Sequence, residues 1–231
     1  LRGRPVKIAR EGVPFAAAAL LLAGVFWAGA WAGIGGSEGP GWVAIRLTAW
    51  TFTLLSIFVL WFFRNPEPEV PSDTELVVSP GQGKIIKVED VDESSYLGGP
   101  AQKISIFLSV FDVHVQRAPV SGTVEHKVYR PGAYAVAWAD KASEDNEQAS
   151  LGIKTTHGRV LVRQIAGLVA RRILTDPAEG DEIHRGHRFG LIRFGSRVDL
   201  FLPLHWDVLC SVGDRVRVGT TVLARQQAEG G

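Results

Sequence analysis

Gly195 and Ser196 lie at the centre of the run Phe189-Gly190-Leu191-Ile192-Arg193-Phe194-Gly195-Ser196-Arg197-Val198-Asp199-Leu200. A glycine leaves its own carbonyl unhindered. A serine directly after it carries a hydroxyl that can reach that carbonyl, the minimum a chain needs to attack its own backbone. The same dipeptide also suits a β-bulge or a tight turn. The apolar flanks read as two strands meeting at a small-residue corner.

A second run, Phe107-Leu108-Ser109-Val110-Phe111-Asp112-Val113-His114-Val115-Gln116-Arg117-Ala118-Pro119-Val120-Ser121-Gly122, carries a histidine in a patterned setting. On a strand, Asp112, His114 and Gln116 share one face, with Phe111, Val113 and Val115 on the other. A histidine titrates near neutrality and can take or give a proton. The polar row fits a site wall and equally an ordinary solvated face. His184-x-x-His187 sits in a glycine-rich turn without a third ligand at a recognisable spacing, so no metal site is expected. Cys210 is the only cysteine, which excludes an internal disulfide and a cysteine-based zinc site. Its apolar neighbours predict a buried thiol. A formal net charge of +1 gives no whole-molecule electrostatic case for nucleic acid.

The elements that must position these residues are mostly short strands. Apolar runs between Gly, Pro and Asp punctuation predict strands at 76–78, 84–88, 104–108, 113–115, 122–129, 133–138, 151–155, 160–165, 189–193, 198–202 and 221–224. Residues 140–150 read as a polar loop, and 167–174 fit more than one element. The fold class is mainly β, a β-sandwich or barrel-sandwich-like catalytic body with some α. An internal echo supports it. Gly180-Asp181-Glu182-Ile183-His184-Arg185-Gly186 is matched by Gly213-Asp214-Arg215-Val216-Arg217-Val218-Gly219. The second copy resembles the turn of biotinyl and lipoyl carrier domains, without their lysine tip.

The first part of the chain differs. Residues 13–35 contain no charge, and a second apolar segment runs over 47–63. At about 1.5 Å per residue each can cross a bilayer core. The link between them is short, so they predict an N-terminal two-helix transmembrane hairpin. Arg2, Arg4, Lys7 and Arg10 precede it and Arg64 follows it, while the link carries only Glu38. The positive-inside rule then puts both ends and everything after residue 64 in the cytoplasm, at the inner membrane. Three prolines in Asn65-Pro66-Glu67-Pro68-Glu69-Val70-Pro71 end the helix. The domains are therefore a membrane hairpin at 1–64, a linker at 65–74 and a β-rich domain at 75–231.

Several motifs, in order over nearly the whole chain, resemble the short-form bacterial phosphatidylserine decarboxylase proenzymes. They are Trp61-Phe62-Phe63-Arg64-Asn65-Pro66, the His114 run, Lys141-Ala142-Ser143-Glu144-Asp145-Asn146-Glu147, Gln164-Ile165-Ala166-Gly167-Leu168-Val169-Ala170-Arg171-Arg172 and Phe194-Gly195-Ser196-Arg197-Val198-Asp199. The resemblance implies self-cleavage between Gly195 and Ser196, giving a β chain of 1–195 and an α chain of 196–231. Ser196 would become a pyruvoyl cofactor, which forms a Schiff base with the serine amine of a membrane phospholipid and absorbs the electrons left by carbon dioxide. The product would be phosphatidylethanolamine. His114 matches the histidine expected in proton transfer, and Asn146, Glu147 and Arg117 are substrate-binding candidates. The family pattern usually has Asp where Gln82 stands in Ser79-Pro80-Gly81-Gln82-Gly83-Lys84. An amide can orient an imidazole but cannot balance its charge. Asp112 and Asp199 are the alternative relay carboxylates. Arg117 occupies the place of a second histidine in long forms. The resemblance also admits an archaetidylserine-type lipid decarboxylase, a processing-deficient binding protein, and a homo-oligomer.

Overall fold

The computed structural model describes residues 6–132, 146–167, 172–193 and 196–228. The chain divides into two compact units, Leu1–Glu67 and Pro68–Gly231.

In the first unit, strand β1 (Lys7–Ile8) leads through a short 3₁₀ turn into α1 (Val13–Trp31). Helix α2 (Pro40–Phe62) returns, and β2 (Arg64–Asn65) pairs antiparallel with β1. Each helix has a proline in its first turn, where no intrahelical donor is lost. Small residues form the helix contact: Ala16, Ala19 and Ala23 of α1 and Ala49 and Ser56 of α2 are buried, which lets the two backbones approach closely. Trp27 Nε1 donates to Thr53 Oγ1 at 3.1 Å, and Trp27 meets Trp50 edge-on. The hydroxyls of Thr48, Thr51, Thr53 and Ser56 donate to the carbonyls four residues back, which satisfies them without water. Leu20, Leu21, Val25, Leu47, Leu54 and Ile57 point outward. Both helices are long and apolar enough to cross a membrane.

The second unit is mainly β. Its strands are β3 (Leu76–Val78), β4 (Gly83–Glu93), β5 (Gly99–Leu108), β6 (Val115–Arg117), β7 (Gly122–Arg130), β8 (Gln148–Thr155), β9 (Gly158–Ala166) and β10 (Ile173–Thr175). They continue as β11 (Glu182–Ile183), β12 (Arg188–Ile192), β13 (Ser196–Pro203), β14 (Asp207–Val208), β15 (Arg215–Val216) and β16 (Val222–Arg225). A large curled sheet has the order β11-β7-β8-β9-β13-β5-β4-β15, and two three-stranded sheets are ordered β10-β12-β6 and β14-β16-β3. Ile104, Ile106, Leu108, Val162, Val198, Leu200 and Leu202 lie in one apolar core, which also holds Phe189 and Ile192 of β12 and Ala224 of β16.

The large sheet reads the same from both edges. Lys84 pairs with Phe107 as Thr123 pairs with Lys154. Arg215 opposes Lys84 as Glu182 opposes Thr123. Both β4 and β7 carry a register shift two residues in, at Ile85/Lys87 and Val124/His126. Leu108 opposes Ser196 as Thr155 opposes Gly158. The Gly-Asp echo is the origin of both edges. Asp181 caps the Ala178 amide and Asp214 caps the Ser211 amide, each at 2.8 Å. Gly180 and Gly213 donate to the carbonyls of Val124 and Ile85.

The mainly-β body and the two apolar helices agree with the sequence expectation. Three details differ. Gln148–Ser150 are strand rather than loop, because their side chains are buried in the large sheet. Strand β6 starts at Val115, later than expected, because residues 109–112 form a turn closed by Asp112 itself. The two-residue edges β11, β14 and β15 have too few residues to show a period. The expected strand at 133–138 and much of the 140–150 loop lie outside the described residues.

Candidate active site

Ser196 is the first residue of β13, paired on one side with Leu108 of β5 and on the other with Ala166 of β9. Alternation places its side chain on the core face with Val198 and Leu200. Its hydroxyl is fully buried and has no hydrogen-bond partner among the described residues. An unsatisfied buried hydroxyl costs about 1–3 kcal/mol, so a serine here is not explained by stability. Phe194 and Gly195 lie outside the described residues.

His114 is fully buried just ahead of β6. Its carbonyl accepts from the Ile192 amide at 3.3 Å, at the end of β12. Ile192 lies four residues before Ser196, a span of at most about 14 Å of chain. The histidine therefore borders the β12–β13 connection that holds the Gly195-Ser196 bond. Its Nδ1 lies 3.0 Å from the Asp112 carbonyl. A carbonyl only accepts, so Nδ1 carries the hydrogen and Nε2 is the basic nitrogen.

Asp112 does not share a strand face with His114. Its Oδ2 accepts from the Ser109 amide at 2.9 Å and hydroxyl at 2.7 Å, and its Oδ1 from Arg215 at 3.1 Å. Local side-chain bonding of this kind outcompetes extended structure. Its contribution to His114 runs through the main-chain carbonyl. Asp199 falls on the sheet face opposite Ser196, where Arg197 grips it through two bonds of 2.8 and 2.7 Å, with both side chains buried. Gln82 lies half-buried in the bend before β4, two strands away from Ser196 at the same end of the sheet. That is roughly 10 Å of lateral spacing. Arg117 is on the face of β6 opposite Gln116, and its guanidinium donates to the Gly186 carbonyl at 3.2 Å.

Asn146 and Glu147 meet the strand beside Ser196. Asn146 Nδ2 donates to the Ala166 carbonyl at 2.7 Å, and the Ala166 amide donates to the Glu147 carbonyl at 2.9 Å. Glu147 Oε1 accepts from the Tyr129 hydroxyl and the Ile173 amide, while Oε2 is buried without a partner among the described residues. The side chain lines a cavity of ≈ 520 Å³ with Lys127, Tyr129, Arg172 and Thr175.

Sequence reasoning passed over one polar chain. Thr175 Oγ1 donates to Gln164 Oε1 at 2.7 Å, and Gln164 Nε2 donates to Gln116 Oε1 at 3.0 Å. Gly190 makes the room: a Cβ there would lie 2.3 Å from the Leu174 carbonyl oxygen and 2.9 Å from Gln164 Nε2. The glycines flanking apolar residues in 189–195 were the available signal. The partner strands were not.

Fold and site together define a mainly-β protein with an apolar helical hairpin and a buried serine and histidine at one strand junction. Among the described residues no three metal-ligating side chains cluster. Comparison with known proteins sharpens that class. The phosphatidylserine decarboxylase family pattern matches residues 55–224. A phosphatidylserine decarboxylase proenzyme of Symbiobacterium thermophilum is 48% identical over 96% of each chain. That of Salinibacter ruber is 44% identical over 89% of this chain and 87% of its own. That of Syntrophus aciditrophicus is 41% identical over 94% and 96%. The chain belongs to the phosphatidylserine decarboxylase family.

Proposed function

We propose that this chain decarboxylates phosphatidylserine to phosphatidylethanolamine, using a pyruvoyl group made from its own Ser196. The observation that carries the reading is the buried, unpartnered Ser196 hydroxyl at the head of a central strand, in a chain whose relatives are named proenzymes.

Ser196 Oγ attacks the Gly195 carbonyl carbon. The carbon–nitrogen bond breaks as the carbon–oxygen bond forms, and His114 Nε2 carries the hydroxyl proton to the departing Ser196 nitrogen. Removal of the Ser196 α-proton expels the Gly195 carboxylate. Water then replaces the nitrogen, releasing ammonia and leaving a ketone. Strand pairing of β13 starts at Ser196 itself, so the pairs from Arg197 to Pro203 outlast the cut and the loss of the Ser196 nitrogen, and chains 1–195 and 196–231 remain one folded unit.

The pyruvoyl group supplies a ketone for the substrate amine and an electron sink for the bond to carbon dioxide. His114 returns a proton to the carbon that loses carbon dioxide. Asn146 and Glu147 hold the wall beside position 196, and the Arg117 main chain ties β6 to the Gln82 bend through Pro80. The hairpin spans the inner membrane with both ends cytoplasmic and keeps the catalytic unit at the surface that holds its substrate. The charge of the usual family aspartate is absent at Gln82, so self-cleavage relies on the carbonyl-held tautomer of His114.

Mass spectrometry of the purified protein tests this reading. Two chains are expected, the smaller beginning with a pyruvoyl group at position 196, together with carbon dioxide release from phosphatidylserine vesicles. A single intact chain without turnover overturns it.

A further inference from the structure

The direction of the polar chain between the two sheets is fixed by a carbonyl. Gln164 Nε2 lies 3.4 Å from the Leu174 carbonyl oxygen, which can only accept, so that atom is the amide nitrogen. The Gln116 atom facing it, at 3.0 Å, must then be oxygen. The other end of the Gln116 amide is therefore an N–H₂ group, and it is fully buried without an acceptor among the described residues.

That orphan donor is close to the reacting position. Gln164 pairs with Val198, and Ala166, two residues on, pairs with Ser196. Ser196 is thus one same-face step along the sheet from the residue that Gln116 touches, about 7 Å of strand. Gln116 is two residues from His114, which lies just ahead of the same strand. Two groups without partners, Ser196 Oγ and Gln116 Nε2, face the same layer.

We propose that Gln116 Nε2 donates a hydrogen bond to the carboxylate of the serine headgroup. This rests on the decarboxylase reading. The amine that reacts at position 196 and the carboxylate share one carbon, so the carboxylate must lie beside position 196. Two of the neighbouring cations face elsewhere: Arg197 is held by Asp199 on the other sheet face, and Arg117 donates to Gly186. A neutral amide suits a group that must leave. An arginine would hold the carboxylate as an ion pair and oppose loss of its charge, whereas an amide sets its orientation without a counter-charge. Gly190 and Thr175 keep the amide pointed by fixing Gln164.

The test compares Gln116→Leu and Gln116→Glu with the wild type, on phosphatidylserine vesicles, after chain cleavage has been scored by mass spectrometry. Gln116→Leu should cleave, with kcat/KM lowered about tenfold to a hundredfold, the range for a hydrogen bond to a charged acceptor. Gln116→Glu should resemble the wild type more closely at low pH, where its carboxyl is protonated and can donate. It should fall below Gln116→Leu as pH rises and the two carboxylates repel. Normal turnover in both variants overturns the proposal. So does an equal loss at every pH, which marks a packing role, or an uncleaved Gln116→Leu chain, which places the amide in processing. An intact and inert wild type instead overturns the decarboxylase reading itself.

Discussion

The two halves of the large sheet share a register and differ in what their ends do. At the end of one half, β8 and β9 close in a tight turn: Thr155 Oγ1 donates to the Gly158 carbonyl at 2.9 Å and accepts from the His157 amide at 3.0 Å. At the matching end of the other half, β5 and β13 are neighbours that are not consecutive in the chain. Leu108 leads into the Ser109–Asp112 turn and on to His114, and Ser196 follows the β12–β13 connection. The same scaffold serves twice, but the open end carries a buried serine hydroxyl without a partner among the described residues, and the orphan Gln116 amide reaches Gln164 of the neighbouring β9. The edges differ accordingly. Arg215 reaches Asp112 at 3.1 Å, while its counterpart Glu182 is exposed.

The largest expected contrast is between the two hydroxyls at these ends. Ser196 Oγ bonds to nothing described, whereas Thr155 Oγ1 bonds twice. Ser196→Ala should abolish chain cleavage and carbon dioxide release, with thermal stability equal to or above that of the precursor. Thr155→Ala should lose about 1 kcal/mol of stability and leave cleavage and turnover per folded molecule unchanged. Electrophoresis, carbon dioxide release and thermal melts on both variants read this out. A Ser196→Ala chain that still cleaves would dissolve the distinction between the ends.

A second contrast uses paired glycines. A Cβ at Gly83 would lie 2.0 Å from the Phe107 carbonyl oxygen, and one at Gly122 would lie 2.2 Å from the Lys154 carbonyl oxygen. Both obstacles are backbone, so both alanine variants should lose about 1–3 kcal/mol or more, by similar amounts in denaturant titrations. Only Gly83→Ala, next to Gln82 and one strand from Leu108, should also slow cleavage per folded molecule. Equal cleavage rates in the two variants would show that the halves are alike in function as well as in register.

These contrasts separate what the sequence could reveal from what it could not. The Gly-Asp echo was readable because each copy needs the same residues to cap the same turn: Asp181 and Asp214, Gly180 and Gly213. Ser196 and His114 were readable as residue types inside motifs. Asp112 was misplaced because its carboxylate folds back onto Ser109, a local competition that strand alternation does not foresee. Asp199 lies on the face opposite Ser196, because three residues along a strand reverses the face, and its bonds to Arg197 depend on that geometry. The Gln116–Gln164 bond was invisible, since it joins residues 48 positions apart across two sheets and depends on the gap over Gly190. Short edges such as β11 and β15 exist only because a neighbour is there to pair with them.

The smallest effect concerns the opposite end of the site-bearing half, where β4 and β5 join. Glu93 closes that hairpin. It accepts from the Tyr96 amide at 2.9 Å, the Leu97 amide at 3.0 Å, the Ser95 hydroxyl and Arg163 at 3.1 Å. Burial alone would raise its pKa, but the hydrogen bonds from Ser95, Leu97 and Tyr96 and the charge of Arg163 together hold it below 4.5. A carboxyl with a lowered folded pKa binds fewer protons folded than unfolded. Its contribution is therefore complete above the unfolded value and is lost as pH falls through the folded one. Thermal melts of the wild type should fall in midpoint below about pH 4.5, the unfolded carboxylate range. Glu93→Gln should begin lower at neutral pH and show a flatter dependence through the same window, with cleavage at Ser196 unaffected. An acid slope as steep in Glu93→Gln as in the wild type would remove Glu93 as its source. A loss of cleavage would show that the two ends of this half are coupled along β5.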